Sequence, residues 1–178
     1  HYDLSNAMYQ TFLDATLTYS CAIFERADEN LEQAQLRKID RILHKACISK
    51  HHHILEIGTG WGTLAIRAAT RFGCRVTSIT LSKEQQQLAE KRIAEAGLSD
   101  QVKVMLCDYR NVTGLYDRII SVEMLEAVGK AYYPAFFRCC DRVLKPNGIM
   151  VIQTITIPDQ RYEAYSKTID WMRLFIFP

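Results

Sequence analysis

The chain has little of the chemistry that marks several function classes. Its 22 basic residues barely outnumber 20 acidic ones across 178 positions, so it lacks the one-sided positive field that nucleic-acid partners select. The six cysteines, Cys21, Cys47, Cys74, Cys107, Cys139 and Cys140, form no CxxC pair and no zinc-type cluster with histidine. They read as reduced thiols of a cytoplasmic protein. No apolar run reaches the roughly 18 residues of a membrane span, and the opening residues lack the basic, apolar, small-residue order of a secretion signal. The expectation is a protein that is cytoplasmic or at most peripheral to a membrane, with no metal and no nucleic acid. Histidine is absent after His53, which takes the commonest general base out of the rest of the chain. His51, His52 and His53 are consecutive and point in different directions, so they read as a loop rather than a metal site.

What is present is a βα rhythm. At 48% hydrophobic content the chain fits one domain spanning residues 1–178, with a helical N-terminal cap over 1–52 and an α/β core over 53–178. Short β-branched runs at Ile54–Ile57, Arg75–Thr80, Val102–Cys107, Arg118–Val122 and Ile149–Ile155 predict five strands of a mainly parallel sheet. Helices are predicted over Thr63–Phe72, Lys83–Ala96 and Tyr132–Leu144, which puts helices on both sheet faces. Ser82 and Gln85 have capping-box spacing at the start of the second. Before the sheet, Leu36, Ile39, Leu43 and Ala46 form a helical stripe within Leu31–Cys47, while Arg37, Lys38, Arg41 and Lys45 read as a solvated basic face. The ends, at His1 and after the apolar Trp171–Phe177 stretch, suggest a piece of a longer polypeptide.

The segment Glu56, Ile57, Gly58, Thr59, Gly60, Trp61, Gly62 ends the first strand and opens a helix. Glycines there let a ligand approach the backbone, and the helix start offers free N–H groups. A dinucleotide loop would have glycine at 63, where this chain has Thr63. The spacing, with Glu56 two residues before the first glycine, suits a sulfonium amino acid such as S-adenosylmethionine on a Rossmann-like fold. The second strand ends without the acidic residue that usually meets ribose hydroxyls, leaving Thr80 and Gln85 as polar candidates. Asp108, Tyr109 and Arg110 follow the third strand, where an adenine would be covered.

Together with HYDLSN at the start, YSCA at 19–22, LEQAQLRKID, EIGTGWG, TLSKEQ, CDYR, SVEMLEAVG, LKPNG and the closing FIFP, these residues resemble the cyclopropane fatty acid synthase family nearly from end to end. The resemblance implies the class I S-adenosylmethionine-dependent methyltransferase fold, with a C-terminal antiparallel hairpin missing from this stretch. It implies transfer of a methyl group to the cis double bond of an unsaturated phospholipid acyl chain, followed by proton loss and ring closure. By the same carry-over, Tyr19 and Ser20 close over the cofactor, Gly58, Gly60 and Trp61 line its methionine part, Thr80 and Gln85 hold the ribose, and Asp108, Tyr109 and Arg110 border the adenine. A bicarbonate beside the reacting carbon would be held by Cys21 and Glu126, with backbone near Val122 and Glu123.

Two departures stand out. The family's histidine in the fifth strand is Gln153 here, and the one after the glutamate is Ala127. An amide donates a hydrogen bond to an anion but does not shuttle protons, so Gln153 is expected to position an anion between itself, Cys21 and Glu126. A methyltransferase acting on another lipid or an amine, and a non-catalytic cofactor-binding module, remain open.

Overall fold

The computed structural model describes residues 6–169, 171, 174 and 175. Most of the HYDLSN opening and of the apolar tail, with the packing expected of that tail, lies outside the described residues.

A five-residue helix, α1 (Asn6–Gln10), leads into a strap without regular secondary structure that runs to α2 (Leu31–Lys45). Helix α2 begins with a complete capping box, in which the Asn30 side chain accepts from Gln33 N–H and the Gln33 side chain accepts from Asn30 N–H. Then follow β1 (His53–Ile57), α3 (Thr63–Phe72), β2 (Arg75–Thr80), α4 (Lys83–Glu95), β3 (Val102–Leu106), a 3-10 turn at Tyr109–Asn111 and β4 (Tyr116–Val122). The short α5 (Leu125–Val128), α6 (Tyr133–Val143), β5 (Leu144–Gln153) and α7 (Asp159–Ser166) complete the described elements.

All strand pairs are parallel, in the order β3-β2-β1-β4-β5. Alternation along β1 sends Ile54 to one face and Leu55 and Ile57 to the other. Ile54 joins Ile39, Leu43, Ala65, Ala68, Val76 and Ile93 beneath α2, α3 and α4. Leu55 and Ile57 join Ile79, Ile119, Phe136 and Cys140 beneath α6. Asp40 accepts a two-pronged contact from Arg67, each arm at 2.9 Å, which ties α2 to α3.

Several expected boundaries move. Strand β5 starts five residues before Ile149, because Leu144 pairs with Tyr116 and a register shift then lets Lys145–Gly148 bulge out before Ile149 meets Arg118. It stops at Gln153 instead of Ile155, since the Thr154 hydroxyl and the Ile155 N–H are drawn off to the Glu126 carboxylate. On α2 the inward stripe is Ala34, Gln35, Lys38, Ile39, Ile42 and Leu43, so Leu36 is only half-buried and Lys38 leaves the basic face on which it was expected. Arg37 is held by Glu25 and Glu29.

Gly62 precedes α3 with φ +87°, and a Cβ added to it would lie 3.2 Å from Ala89 Cβ on α4. Gly62→Ala therefore combines left-handed backbone strain with a clash between α3 and α4. We expect a loss of about 1–3 kcal/mol, read as a lower denaturant midpoint at unchanged slope.

Candidate active site

Consecutive crossovers leave β1 and β4 in opposite directions, so a crevice opens at their C-terminal ends. There the structure has a cavity of about 240 Å³. Its walls come from the turn after β1, the ends of β2 and β3, and Val122, Glu123 and Met124 at the end of β4; Leu17–Ser20 of the strap and Lys38 of α2 close its roof.

The glycine turn behaves as its spacing predicts. Gly58, Gly60 and Gly62 all have positive φ, and a Cβ on Gly60 would meet nothing within 4 Å. The first turn of α3 has no side-chain cap, so its N–H groups are available to a negatively charged ligand group. Glu56 is buried in β1, where the Ser78 hydroxyl donates to its Oε2 and lies 2.7 Å from Thr59 Oγ1. Burial pushes the Glu56 carboxyl up to about 8, a rise the Ser78 hydrogen bond only partly opposes. Trp61 is buried against Tyr9, with its indole N–H donating to Asn6 Oδ1 at 2.7 Å.

Thr80 and Gln85 both reach the cavity wall and are bonded to each other, Thr80 Oγ1 donating to Gln85 Oε1 at 2.8 Å. Gln85 N–H also completes the Ser82 cap of α4. Of the three residues expected at the adenine, only Tyr109 lines the cavity, its ring edge-on to Phe136 at 5.3 Å. Asp108 and Arg110 are paired with each other at 2.6 Å.

The strap is pinned from below by α2. The Gln35 amide donates to the carbonyls of Thr18 and Ser20, and the Lys38 ammonium donates to Ser20 Oγ. Lys38 is only 1% exposed. Desolvation lowers its pKa to about 8, opposed by electrostatic interaction with Glu123, Cys21 and Asp14. Arg92 and the Thr63 hydroxyl both donate to the Thr16 carbonyl, and Arg92 also reaches the Trp61 carbonyl at 2.7 Å. Tyr19 and Ser20 are thus held over the glycine turn.

Of the expected grouping of Cys21, Glu126 and Gln153, the structure brings Cys21 and Gln153 together but not Glu126. Glu123, not Glu126, joins the other two: its Oε1 accepts from Cys21 N–H at 2.8 Å and from the Gln153 amide at 2.8 Å. The same amide donates to the Cys21 carbonyl at 3.2 Å, so the Cys21 peptide is gripped on both sides while its thiol turns to the Ala22 carbonyl. Glu126 lies one turn further on, in α5, where its carboxylate is taken by Thr154 and Ile155. The signal available for Glu123 was its place as the first residue past the β4 run. For Lys38 it was the four-residue spacing to Ile42 on an apolar stripe.

Glu56 makes the ligand-free protein pH-sensitive. Its folded pKa of about 8 lies above the ordinary 4.5, so its stabilising share is complete below about pH 4.5 and is lost as pH rises to about 8. The slope approaches ~1.4 kcal/mol per pH unit. Glu56→Gln should flatten that fall, as checked by denaturant unfolding between pH 5 and 8. The comparison with Glu56→Gln also separates this fall from the titration of Lys38, which lies at the top of that range.

The model of the family described as mycolic acid cyclopropane synthetase matches residues 1–178. A tuberculostearic acid methyltransferase of Mycobacterium tuberculosis is 49% identical over 185 residues, covering 100% of this chain and 43% of the relative. A cyclopropane-fatty-acyl-phospholipid synthase of Escherichia coli K12 is 39% identical over 183 residues, covering 100% of this chain and 44% of the relative. The chain therefore spans less than half the length of these relatives. Among solved structures, the cyclopropane synthase MmaA2 of Mycobacterium tuberculosis superposes with a TM-score of 0.87 at 34% identity, covering 98% of this chain and 61% of the other. The mycolic acid cyclopropane synthase CmaA1, complexed with SAH and CTAB, superposes equally well, with a TM-score of 0.87 at 35% identity and 98% and 61% coverage. With its parallel five-stranded sheet, its glycine turn and a family match over its whole length, the chain belongs to the mycolic acid cyclopropane synthetase family.

Proposed function

We propose that this chain is the catalytic core of an enzyme that transfers a one-carbon group from S-adenosylmethionine to the cis double bond of an unsaturated phospholipid acyl chain and closes a cyclopropane ring. The observation that carries the reading is a carboxylate, clamped by Cys21 and Gln153, in the wall of the cavity behind the glycine turn. The E. coli relative bears the name of this activity.

The residues present fit the cofactor. Gly60 leaves open space where any side chain would intrude, and CmaA1 was solved with SAH. Gly58, Gly60 and Trp61 would hold the methionine part near Glu56, Thr80 and Gln85 the ribose, and Tyr109 with Val122 the adenine side, bordered by Asp108 and Arg110. Tyr19 and Ser20 shut the strap over it and exclude water. When bound, S-adenosylmethionine supplies an electrophilic methyl group. An isolated alkene is a weak nucleophile, so the protein's contribution is alignment in a dry slot and a negative charge facing the cation that forms on the acyl chain. Glu126, by anchoring Thr154 and Ile155, would keep the end of β5 and Gln153 in place. Phe12 and Phe24 are exposed on the N-terminal segment and would meet the membrane surface peripherally. No described helix is long and apolar enough to cross it.

The second reading is methylation without ring closure, favoured by the 49% identical relative named as a methyltransferase. A deuterated methyl donor and mass analysis of the lipid product separate the two: ring closure leaves two of the three labels, whereas a saturated methyl branch keeps all three. We expect two. Calorimetry with SAH should also show at least a tenfold loss of affinity, about 1.4 kcal/mol, in Gly60→Val, and equal affinity would remove the cofactor assignment.

A further inference from the structure

We propose that Glu123 is itself the base of this site, its carboxylate standing where a bound bicarbonate would otherwise be needed. The proposal rests on the ring-closing reading above and adds to it the group that receives the proton.

The first argument is place. Cys21 and Gln153 were expected to grip an anion between them. In the structure both the Cys21 N–H and the Gln153 amide bond to a side chain of the chain itself, at Glu123 Oε1. Among the described residues nothing donates to Oε2, and Glu123 forms part of the cavity wall. A carboxylate anchored by one oxygen, with the other unengaged, is the arrangement a positioned proton acceptor requires.

The second argument is the backbone. Glu123 has φ +47°, in the left-handed region that glycine tolerates and other residues occupy at a cost. Its N–H is fixed to the Gln153 carbonyl at 2.8 Å, so strand pairing and the carboxylate clamp together hold it there. Strain kept at a cavity wall has its usual explanation in function.

The third argument is elimination. There is no histidine between His53 and Pro178. The Glu126 carboxylate is committed to Thr154 and Ile155. Glu56, the other cavity carboxyl, holds its proton at neutral pH because of its burial. The enclosed Lys38 ammonium, whose one hydrogen bond among the described residues goes to the neutral Ser20 hydroxyl, offers Glu123 a compensating positive charge.

The step balances. The methyl carbon leaves sulfur and bonds to one alkene carbon, and the other alkene carbon becomes electron-deficient. Glu123 then takes one proton from the new methyl group. The electron pair of that C–H bond forms the second carbon–carbon bond, and the protonated carboxyl returns its proton to water.

The test compares the full-length wild type, Glu123→Gln and Glu123→Gly in bicarbonate-stripped buffer and with millimolar bicarbonate restored. Glycine suits the backbone at this position, and SAH calorimetry verifies that each variant is folded. We expect wild-type turnover to be the same in both buffers. Glu123→Gln should lose roughly two to four orders of magnitude in turnover, with SAH affinity within threefold. Glu123→Gly should regain at least tenfold on adding bicarbonate, and it alone should broaden the ¹³C resonance of labelled bicarbonate, a readout independent of turnover. A wild type that stops without bicarbonate while its product still lacks one deuterium overturns the Glu123 assignment alone, as does a fully active Glu123→Gln. A wild-type product that keeps all three deuteriums overturns the ring-closing reading and this one with it. Should Glu123→Gln not fold, the bicarbonate dependence of the wild type decides the question by itself.

Discussion

The rest of this molecule depends on β1 and β4 lying side by side while the chain leaves them in opposite directions. Because β1 feeds a crossover toward β2 and β4 feeds one toward β5, no backbone covers the line between their C-terminal ends. The glycine turn emerges on one side of that line and Glu123 on the other. The two cores serve the same geometry. Ile54 and Leu55, neighbours on β1, pack against opposite helix layers, which fixes the strand and hence the direction in which Gly58 and Gly60 leave it.

A crevice alone would admit water. The strap that covers it has few apolar anchors of its own, mainly Leu17 with Leu13 beside Tyr9 and Trp61. Its position instead comes from polar groups that α2 and α4 aim at its carbonyls and hydroxyl: Gln35, Lys38 and Arg92. Burying a lysine costs several kcal/mol of hydration unless it is compensated, and here Asp14 and Cys21 on the strap and Glu123 at the end of β4 offset part of it. Polar fastening is directional where apolar packing is not. It fixes where the Cys21 peptide sits, and the Cys21 N–H in turn fixes Glu123.

The strands and the glycine turn were legible because their signals are local. β-branched runs of strand length, and a strand followed by glycines at 58, 60 and 62, need no knowledge of the remainder of the chain. Family resemblance, carried by motifs spread from end to end, supplied the fold and singled out Cys21 and Gln153. What escaped was set by non-local geometry. Pro146, Asn147 and Gly148 do announce a turn, but the early start of β5 depends on Leu144, on its near side, pairing with Tyr116 on another strand. Glu123 and Glu126 are three residues apart, and which one turns toward Cys21 depends on a single left-handed residue where β4 ends. Lys38 was assigned to the solvated side by its charge, although its spacing to Ile42 placed it on the buried stripe.

The two carboxylates of the cavity show how position alone gives one residue type two different surroundings. Glu56 points from the middle of the sheet, flanked by β2 and β4, where the chief partner is a neutral hydroxyl and desolvation dominates; it keeps its proton and acts as a polar but uncharged wall. Glu123 sits where β4 runs out, at the edge of the crevice, facing two N–H donors and an ammonium within the same enclosure. The place of each along its strand thus sets what each carboxylate meets. With Glu123 as the proposed base, glutamine is adequate at 153. With the carboxylate supplied by the chain, the group opposite it has only to donate a hydrogen bond and hold the strap, and an amide does both without taking a charge of its own.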